Sequence, residues 1–401
     1  MLVVKKFGGS SVRDAERIEN VANIVSKDVS NGNRVIVVLS AMGDTTDDLI
    51  SMYKSINPDA PKREVDMLLS TGEQVSASLF SMALSKHKIP AISLNAFQIK
   101  LRTDSSYGNA RIKKIDTERI ENELDAGKVV IVTGFQGVSK NDDITTLGRG
   151  GSDTSAVAIA AKLHADRCEI YTDVDGIYTG DPRIIPNAKK LKSISYDGML
   201  EMATLGAQVL HNRSVELAKR YGVELVVKSS FSDEEGTYVC EGGHMEGLEI
   251  DGVTVEPDVA RIAVIGLLNE PGMAYKTFHE LSKNDINVDM ILQSVGRDGK
   301  KDISFTVPIA DCDAAYHILK EFQKTAKFED VSVDQKVAKV SLIGAGIQSN
   351  FSVATKMFEA LYNIGVNIQM ISTSEIRITV LVDEEECARS AKAVHDAFIN
   401  D

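Results

Sequence analysis

The sequence predicts an α/β chain: a mainly parallel sheet sandwiched by helices over residues 1–240, then two copies of a smaller β-α-β-β-α-β unit. Strand–helix alternation carries the first half of that expectation. An internal repeat carries the second. The length, 401 residues, asks for more than one core, in agreement with both.

Residues 35–39, 129–133, 169–172 and 224–227 are short, rich in β-branched side chains and bounded by polar or Gly signals, as buried strands are. Between them apolar residues recur at helical spacing: Ile18, Val21, Ala22, Val25 and Val29, then Val157, Ala160 and Ala161 followed by Leu163. The charged, Gly-rich runs Asp233-Glu234-Glu235-Gly236 and Glu241-Gly242-Gly243-His244 break the pattern, and a linker is expected over 241–258. Beyond it, 273–291 align with 353–371 at an offset of 80, through Ala274/Ala354, Lys276/Lys356, Phe278/Phe358, Leu281/Leu361, Asn287/Asn367, Met290/Met370 and Ile291/Ile371. Each copy opens with a strand (263–267; 340–343), runs through a helix to a second strand at Asn287 or Asn367, adds a third (303–307; 376–382) and closes with a helix. The copies span 259–335 and 336–401.

Composition narrows the function. A net charge of -13 excludes a basic face for nucleic acid, so a site for anions must be built locally. Cys168, Cys240, Cys312 and Cys387 are scattered, with no Cys-x-x-Cys pair or zinc spacing; no protein-held metal site or disulfide framework is expected, and a reducing, cytoplasmic compartment fits. Leu2-Val3-Val4 is too short for a signal peptide, and no apolar run approaches a membrane span.

Four segments carry chemistry. In Val3-Val4-Lys5-Lys6-Phe7-Gly8-Gly9-Ser10-Ser11-Val12 a strand enters, two glycines turn and a helix is expected from about Arg13. Close backbone approach, a helix N-terminus and the Lys6 charge together suit phosphate; a plain strand–turn–helix joint would read the same way. In Thr145-Thr146-Leu147-Gly148-Arg149-Gly150-Gly151-Ser152-Asp153-Thr154-Ser155-Ala156 one Arg stands among glycines before an Ala/Val-rich helix, with Ser152 or Asp153 as the expected N-cap. Arg grips a carboxylate in a two-pronged fashion; an exposed Arg beside a capped helix is the plainer alternative. Ile170-Tyr171-Thr172-Asp173-Val174-Asp175-Gly176-Ile177-Tyr178-Thr179-Gly180-Asp181-Pro182-Arg183 delivers Thr172 and Asp173 from a strand into a loop, without calcium-loop spacing. Thr71-Gly72-Glu73 opens a helix where Glu73 is either a substrate-ammonium ligand or an ordinary first-turn acid.

Together with Ser40-Ala41-Met42-Gly43 and Gly134-Phe135-Gln136-Gly137, these motifs occur in the order and spacing of the aspartate kinases, and the chain resembles that family over its whole length. The segment Ile371-Ser372-Thr373-Ser374-Glu375-Ile376 resembles the second of two ACT domains, the family's ferredoxin-like regulatory modules. The resemblance implies an amino-acid-kinase fold over 1–240 and ATP-dependent phosphorylation of the β-carboxylate of L-aspartate, the first step toward lysine, threonine and methionine. Mg²⁺ would be held mainly through ATP phosphates. It places Lys6, Gly8, Gly9, Ser10, Ser40 and Ala41 at the phosphates, and Thr172, Asp173, Tyr178, Asp181, Arg183 and Lys228 elsewhere on the nucleotide. Thr46, Glu73, Phe135, Arg149, Ser152 and Asp153 fall at the amino acid, with Lys6 and Asp153 in catalytic roles. Effector positions are Asn269, Gly272, Ala274, Asp289, Gln293, Asn367 and Ile368. Asn269 stands where several relatives have Asp, and Met273 is not the usual small or polar residue, so lysine, threonine or both stay open as inhibitors. A homo-oligomer through the ACT domains is implied, and Met245 could start a short second subunit. Two rivals remain: a kinase of another small acidic amino acid, and a degenerate amino-acid sensor.

Overall fold

The computed structural model describes residues 1–206, 209–242, 249–296, 298–348, 350 and 352–399. Met245 and the Gly243-His244 part of the expected linker lie outside the described residues. The chain forms two bodies: Met1–Ile177 with Lys190–His244, and Tyr178–Lys189 with Met245–Asp401.

The first body opens with β1 (Leu2–Phe7), α1 (Ala15–Ser30), β2 (Arg34–Leu39), α2 (Thr45–Ile56), α3 (Lys62–Leu69), α4 (Thr71–Lys86) and β3 (Ala91–Leu94). Short strands β4 (Arg102–Thr103) and β5 (Ile112–Lys114), helix α5 (Glu118–Asp125), β6 (Val129–Thr133), β7 (Gln136–Val138) and β8 (Ile144–Thr146) follow. It ends with α6 (Gly151–Leu163), β9 (Arg167–Thr172), β10 (Ser193–Ser195), α7 (Tyr196–Thr204), α8 (Asn212–Tyr221), β11 (Leu225–Ser229) and β12 (Thr237–Cys240). The main sheet has the order β10-β12-β11-β9-β1-β2-β6-β3, parallel at every neighbouring pair except β11–β12. Residues 35–39 are at most 1% exposed, so both sheet faces are covered. Val35, Val37 and Leu39 pack with α1 and α4 residues such as Val21, Val25 and Phe80, while α6 lies against β1 and β9. The β5-β4-β7-β8 sheet is separate.

Two local expectations change. No α-helix starts at Arg13: a 3₁₀ turn, Gly9–Val12, intervenes, and α1 begins after Asp14, whose carboxylate accepts from the Arg17 N–H. Neither Ser152 nor Asp153 caps α6. Gly150, at φ 66°, is the cap without any side-chain bond, which leaves Ser152 and Asp153 inside the first turn.

The second body comprises β13 (Glu249–Leu268), α9 (Met273–Ser282), β14 (Ile291–Gln293), β15 (Lys300–Pro308), α10 (Cys312–Ala326) and β16 (Asp330–Ala345), then α11 (Ser352–Asn363), β17 (Met370–Thr373), β18 (Arg377–Asp383) and α12 (Cys387–Ile399). Its sheet runs β14-β15-β13-β16-β18-β17. β13 and β16 are long and antiparallel, each serving both units. Residues 249–256, expected in the linker, pair with 339–345 and supply the edge strand of the second unit, while 330–334 do so for the first. The repeat pairs occupy equivalent places. Leu281 and Leu361 are fully buried, and Met290 meets Met370 at the seam with Val259, Val337 and Leu381. Residues 178–189, expected in the first domain, are built into this body. Among the described residues no helix is long and apolar enough to cross a membrane.

Candidate active site

The parallel strands β1, β2 and β6 end together, and the loops beyond them meet at one sheet edge, where doubly wound sheets hold ligands. The Ser40 N–H donates to the Phe7 carbonyl, the Gly43 N–H to Gly9, and the Gly134 N–H to Leu39. A Cβ at Gly9 would stand 2.9 Å from the Ala41 carbonyl and 3.0 Å from that of Gly43, so only glycine lets the first two loops approach this closely.

A cleft of about 270 Å³ opens there. Lys6 and Gly9 line one part, with Ser40 and Ala41 beside them. Thr46 from α2, Glu73 from α4, Phe135 after β6, and Arg149, Ser152 and Asp153 around the start of α6 line the rest. Lys6 Nζ lies 2.6 Å from Asp153 Oδ1. The two are in charge contact rather than an aligned hydrogen bond, because that oxygen is buried without a hydrogen-bond partner.

Glu73 is 3% exposed. Its Oε1 accepts from the Ala41 N–H at 3.3 Å, and its Oε2 has no hydrogen-bond partner among the described residues. Burial pushes its carboxyl up to about 7. A buried carboxyl with an unmatched oxygen on a cleft wall has bonding capacity to offer a ligand. Arg149 is exposed in the same cleft and has no side-chain ion pair among the described residues. Phe135 sits at φ 68°, a strained state for a bulky residue, held by its N–H donating to Ser155 Oγ and its carbonyl accepting from the Leu147 N–H.

The other expected positions lie elsewhere. Gly8 does not line the cleft, although a Cβ there would stand 3.5 Å from Lys6 Nζ; Ser10 is exposed. Thr172 donates to its exposed neighbour Asp173, and Lys228 Nζ is 4.0 Å from Glu169. Tyr178, Asp181 and Arg183 belong to the second body, where the Arg183 guanidinium forks onto the Asp181 carboxylate. Of the effector positions, Gly272 caps α9 at φ 88°, and Ala274 follows it into the first turn. Asp289 pairs with the buried Lys339, which also holds Glu256. Gln293 lies on β14, the Asn269 N–H donates to Gly299, and Asn367 and Ile368 precede β17. Met273 is a core residue, which accounts for its size.

Residues that support the cleft were missed. Arg213 donates to the Leu147 carbonyl at 2.7 Å and to Ala110 at 2.6 Å, and buried Asp66 accepts from the Thr146 N–H and hydroxyl, fixing the Thr146-Leu147 approach to the Arg149 loop. No local pattern marks either residue, since their partners are far off in sequence. Near Lys6, Lys5 is buried against Glu169 and 2.7 Å from Asp28.

Residues 1–229 match the amino acid kinase family, and residues 262–322 and 340–398 match an ACT domain. The chain belongs to the amino acid kinase family. Within it, relatives matched over nearly their full length include aspartokinases: it is 48% identical to the aspartokinase of Bacillus sp. (strain MGA3) and 47% identical to aspartokinase 2 of Bacillus subtilis, covering 99% of this chain and 97% of each relative. Escherichia coli aspartokinase III, solved with aspartate and ADP, superposes with a TM-score of 0.81 at 26% identity over 99% of this chain and 100% of that one. The same enzyme has also been solved with lysine and aspartate in a T-state.

Proposed function

We infer that this chain is an ATP-dependent kinase of the β-carboxylate of L-aspartate, forming 4-phospho-L-aspartate and ADP under feedback control by ACT domains. The carrying observation is the single cleft shared by Lys6, Asp153, Glu73 and Arg149. Arg149 takes the α-carboxylate and Glu73 the ammonium group, which directs the substrate's other carboxylate toward Lys6. That carboxylate is already ionised at neutral pH, so attack on the γ-phosphorus needs no general base. Catalysis is positioning and charge neutralisation. Asp153 holds the Lys6 ammonium in place, and Lys6 meets the transferring phosphoryl group. The uncapped start of α6 adds oriented N–H groups. Mg²⁺ would neutralise phosphate charge. Among the described residues no cluster of three His, Cys, Asp or Glu offers a protein cage, so ATP oxygens would be its main ligands.

Gly8, Gly9, Ser10, Ser40 and Ala41 serve the phosphates, and Thr172, Asp173, Tyr178, Asp181, Arg183 and Lys228 the rest of the nucleotide. Thr46, Phe135 and Ser152 shape the amino-acid pocket. Lysine, threonine or both act at Asn269, Gly272, Ala274, Asp289, Gln293, Asn367 and Ile368, with ACT domains at 259–335 and 336–401 joining copies of the chain in the cytoplasm. A short subunit starting at Met245 belongs to the same proposal; Met245→Leu abolishes it. The decisive experiment traps the acyl phosphate with hydroxylamine, offering aspartate and glutamate in parallel. Hydroxamate with aspartate alone is expected. Product with glutamate alone, or none with either, overturns the reading.

A further inference from the structure

Residues 178–189 leave the main sheet between Ile177 and Lys190 and are built into the second body. Ile184, Ile185 and Ala188 join the core of the second βαββαβ unit with Ala391 and Val394 of α12. Polar contacts reach the same helix. Asn187 Nδ2 donates to Asp396 Oδ1 at 2.8 Å, and Lys189 Nζ to the Ile399 carbonyl at 2.7 Å. A third contact is fully buried: Thr179 Oγ1 lies 2.8 Å from His395 Nε2, with the two residues 4% and 0% exposed.

Thr179 is a fixed point. Its N–H donates to the Lys189 carbonyl, and its carbonyl accepts from the Val253 N–H at 2.8 Å. Its hydroxyl oxygen accepts from the Lys189 N–H at 2.9 Å. The same hydroxyl pairs with His395 Nε2, one of the two donating according to the imidazole tautomer, and either tautomer leaves Nδ1 with a bonding capacity of its own. Among the described residues Nδ1 is buried without a hydrogen-bond partner, 3.8 Å from Asp396 Oδ1. An apolar side chain would avoid that cost, so packing alone does not explain a histidine here. Thr179 stands next to Tyr178 and two residues before Asp181, whose carboxylate accepts from the Arg183 N–H at 2.9 Å and the guanidinium at 2.7 Å.

We propose that His395 is a positioning residue for ATP: through Thr179 it ties the segment bearing Tyr178, Asp181 and Arg183 to α12 of the second ACT unit. The proposal rests on the reading that those three residues contact nucleotide. Steady-state kinetics of the full chain test it with Thr179→Val, Thr179→Ser, His395→Leu and His395→Gln, and with Arg183→Ala as a control on the underlying reading. His395→Leu is expected to raise KM for ATP about five- to tenfold, the cost of one buried hydrogen bond, and Thr179→Val, which also unpairs the Lys189 N–H, by at least as much, with kcat and KM for aspartate within about twofold. Thr179→Ser and His395→Gln keep a bonding group and should stay near the parent. The double variant Thr179→Val/His395→Leu should be no worse than Thr179→Val alone. If His395→Leu does not fold, near-isosteric Thr179→Val decides alone. An unchanged KM for ATP in Thr179→Val and His395→Leu, with a raised one in Arg183→Ala, overturns this inference and leaves the nucleotide reading standing. An unchanged KM in Arg183→Ala overturns the reading beneath it. A rise in both KM values together with a fallen melting temperature marks a structural effect and also overturns the proposal.

Discussion

The cleft is built from two Gly-rich joints that look alike in sequence and work differently. After β1, Gly8-Gly9 turns into a 3₁₀ segment, and α1 begins only after Asp14, whose carboxylate accepts from the Arg17 N–H. This joint delivers a side-chain charge, Lys6. Before α6, Gly150 in the left-handed region leads straight into the helix, and no side chain caps it. That joint delivers an open helix start, with Arg149 just ahead of it and Asp153 in its first turn. A strand–Gly–helix pattern is therefore not one device. Whether the helix end is already satisfied decides if it can serve a ligand.

Removing the charge should separate the joints most sharply. A Lys–phosphate pair at about 4 Å is worth roughly 4 kcal/mol at an effective dielectric of about 20. Lys6→Ala is expected to lower kcat by about 10²–10³ with the melting temperature preserved. Near-normal turnover would show that α6 and its loop suffice.

Gly150→Ala attacks the second joint through its backbone. The residue sits at φ 66°, and a Cβ would fall 2.3 Å from that of His211. A stability loss on the order of 2–4 kcal/mol by urea titration is expected, with aspartate turnover falling alongside. Gly222, with φ 63° and nothing near its Cβ, is the control and should lose only about 1 kcal/mol on the same change.

Glu73 lines the cleft that both joints reach, and its effect is pH-dependent. Folding raises its carboxyl from 4.5 to about 7. Between those values the folded chain keeps a proton that the unfolded chain has released, so stability falls as pH rises through the window. Glu73→Gln should flatten that slope, by about 2–3 kcal/mol between pH 5 and 8 in chemical denaturation, while KM for aspartate rises. Parallel curves for parent and variant would mean that the carboxyl titrates normally.

The smallest expected effect is Asp14→Ala. Loss of the cap should cost about 1 kcal/mol of stability and leave KM for ATP unchanged, because that helix end is not offered to the ligand. A changed KM would return α1 to the site.

Strands were legible where burial on both faces forces continuous apolar β-branched runs; residues 129–133 are expected and observed with the same bounds. The Leu281/Leu361 and Met290/Met370 matches were equally legible, because each unit repeats its own core. Helix starts were less so. Asp14 caps α1 through a local bond from the Arg17 N–H, so that the helix starts two residues later than expected, whereas Ser152 and Asp153 are passed over and Gly150 stands at the cap of α6. Residues 249–256 read as a linker because Gly-rich charge precedes them, yet their partner strand lies about 90 residues away, beyond the reach of any local pattern.

By itself the sequence determined the layer architecture, the repeat and the short motifs at strand ends, since each follows from period, β-branching or turn chemistry within a few residues. Tertiary structure decided which of those motif residues share a cleft, and that the free oxygen of Glu73 and the ion pair of Lys6 with Asp153 both belong to it. It also decided that residues 178–189 join the regulatory body through Thr179 and His395. Such pairings join groups 140 to 220 residues apart, and only the closed core brings them within reach of a charge contact or a hydrogen bond.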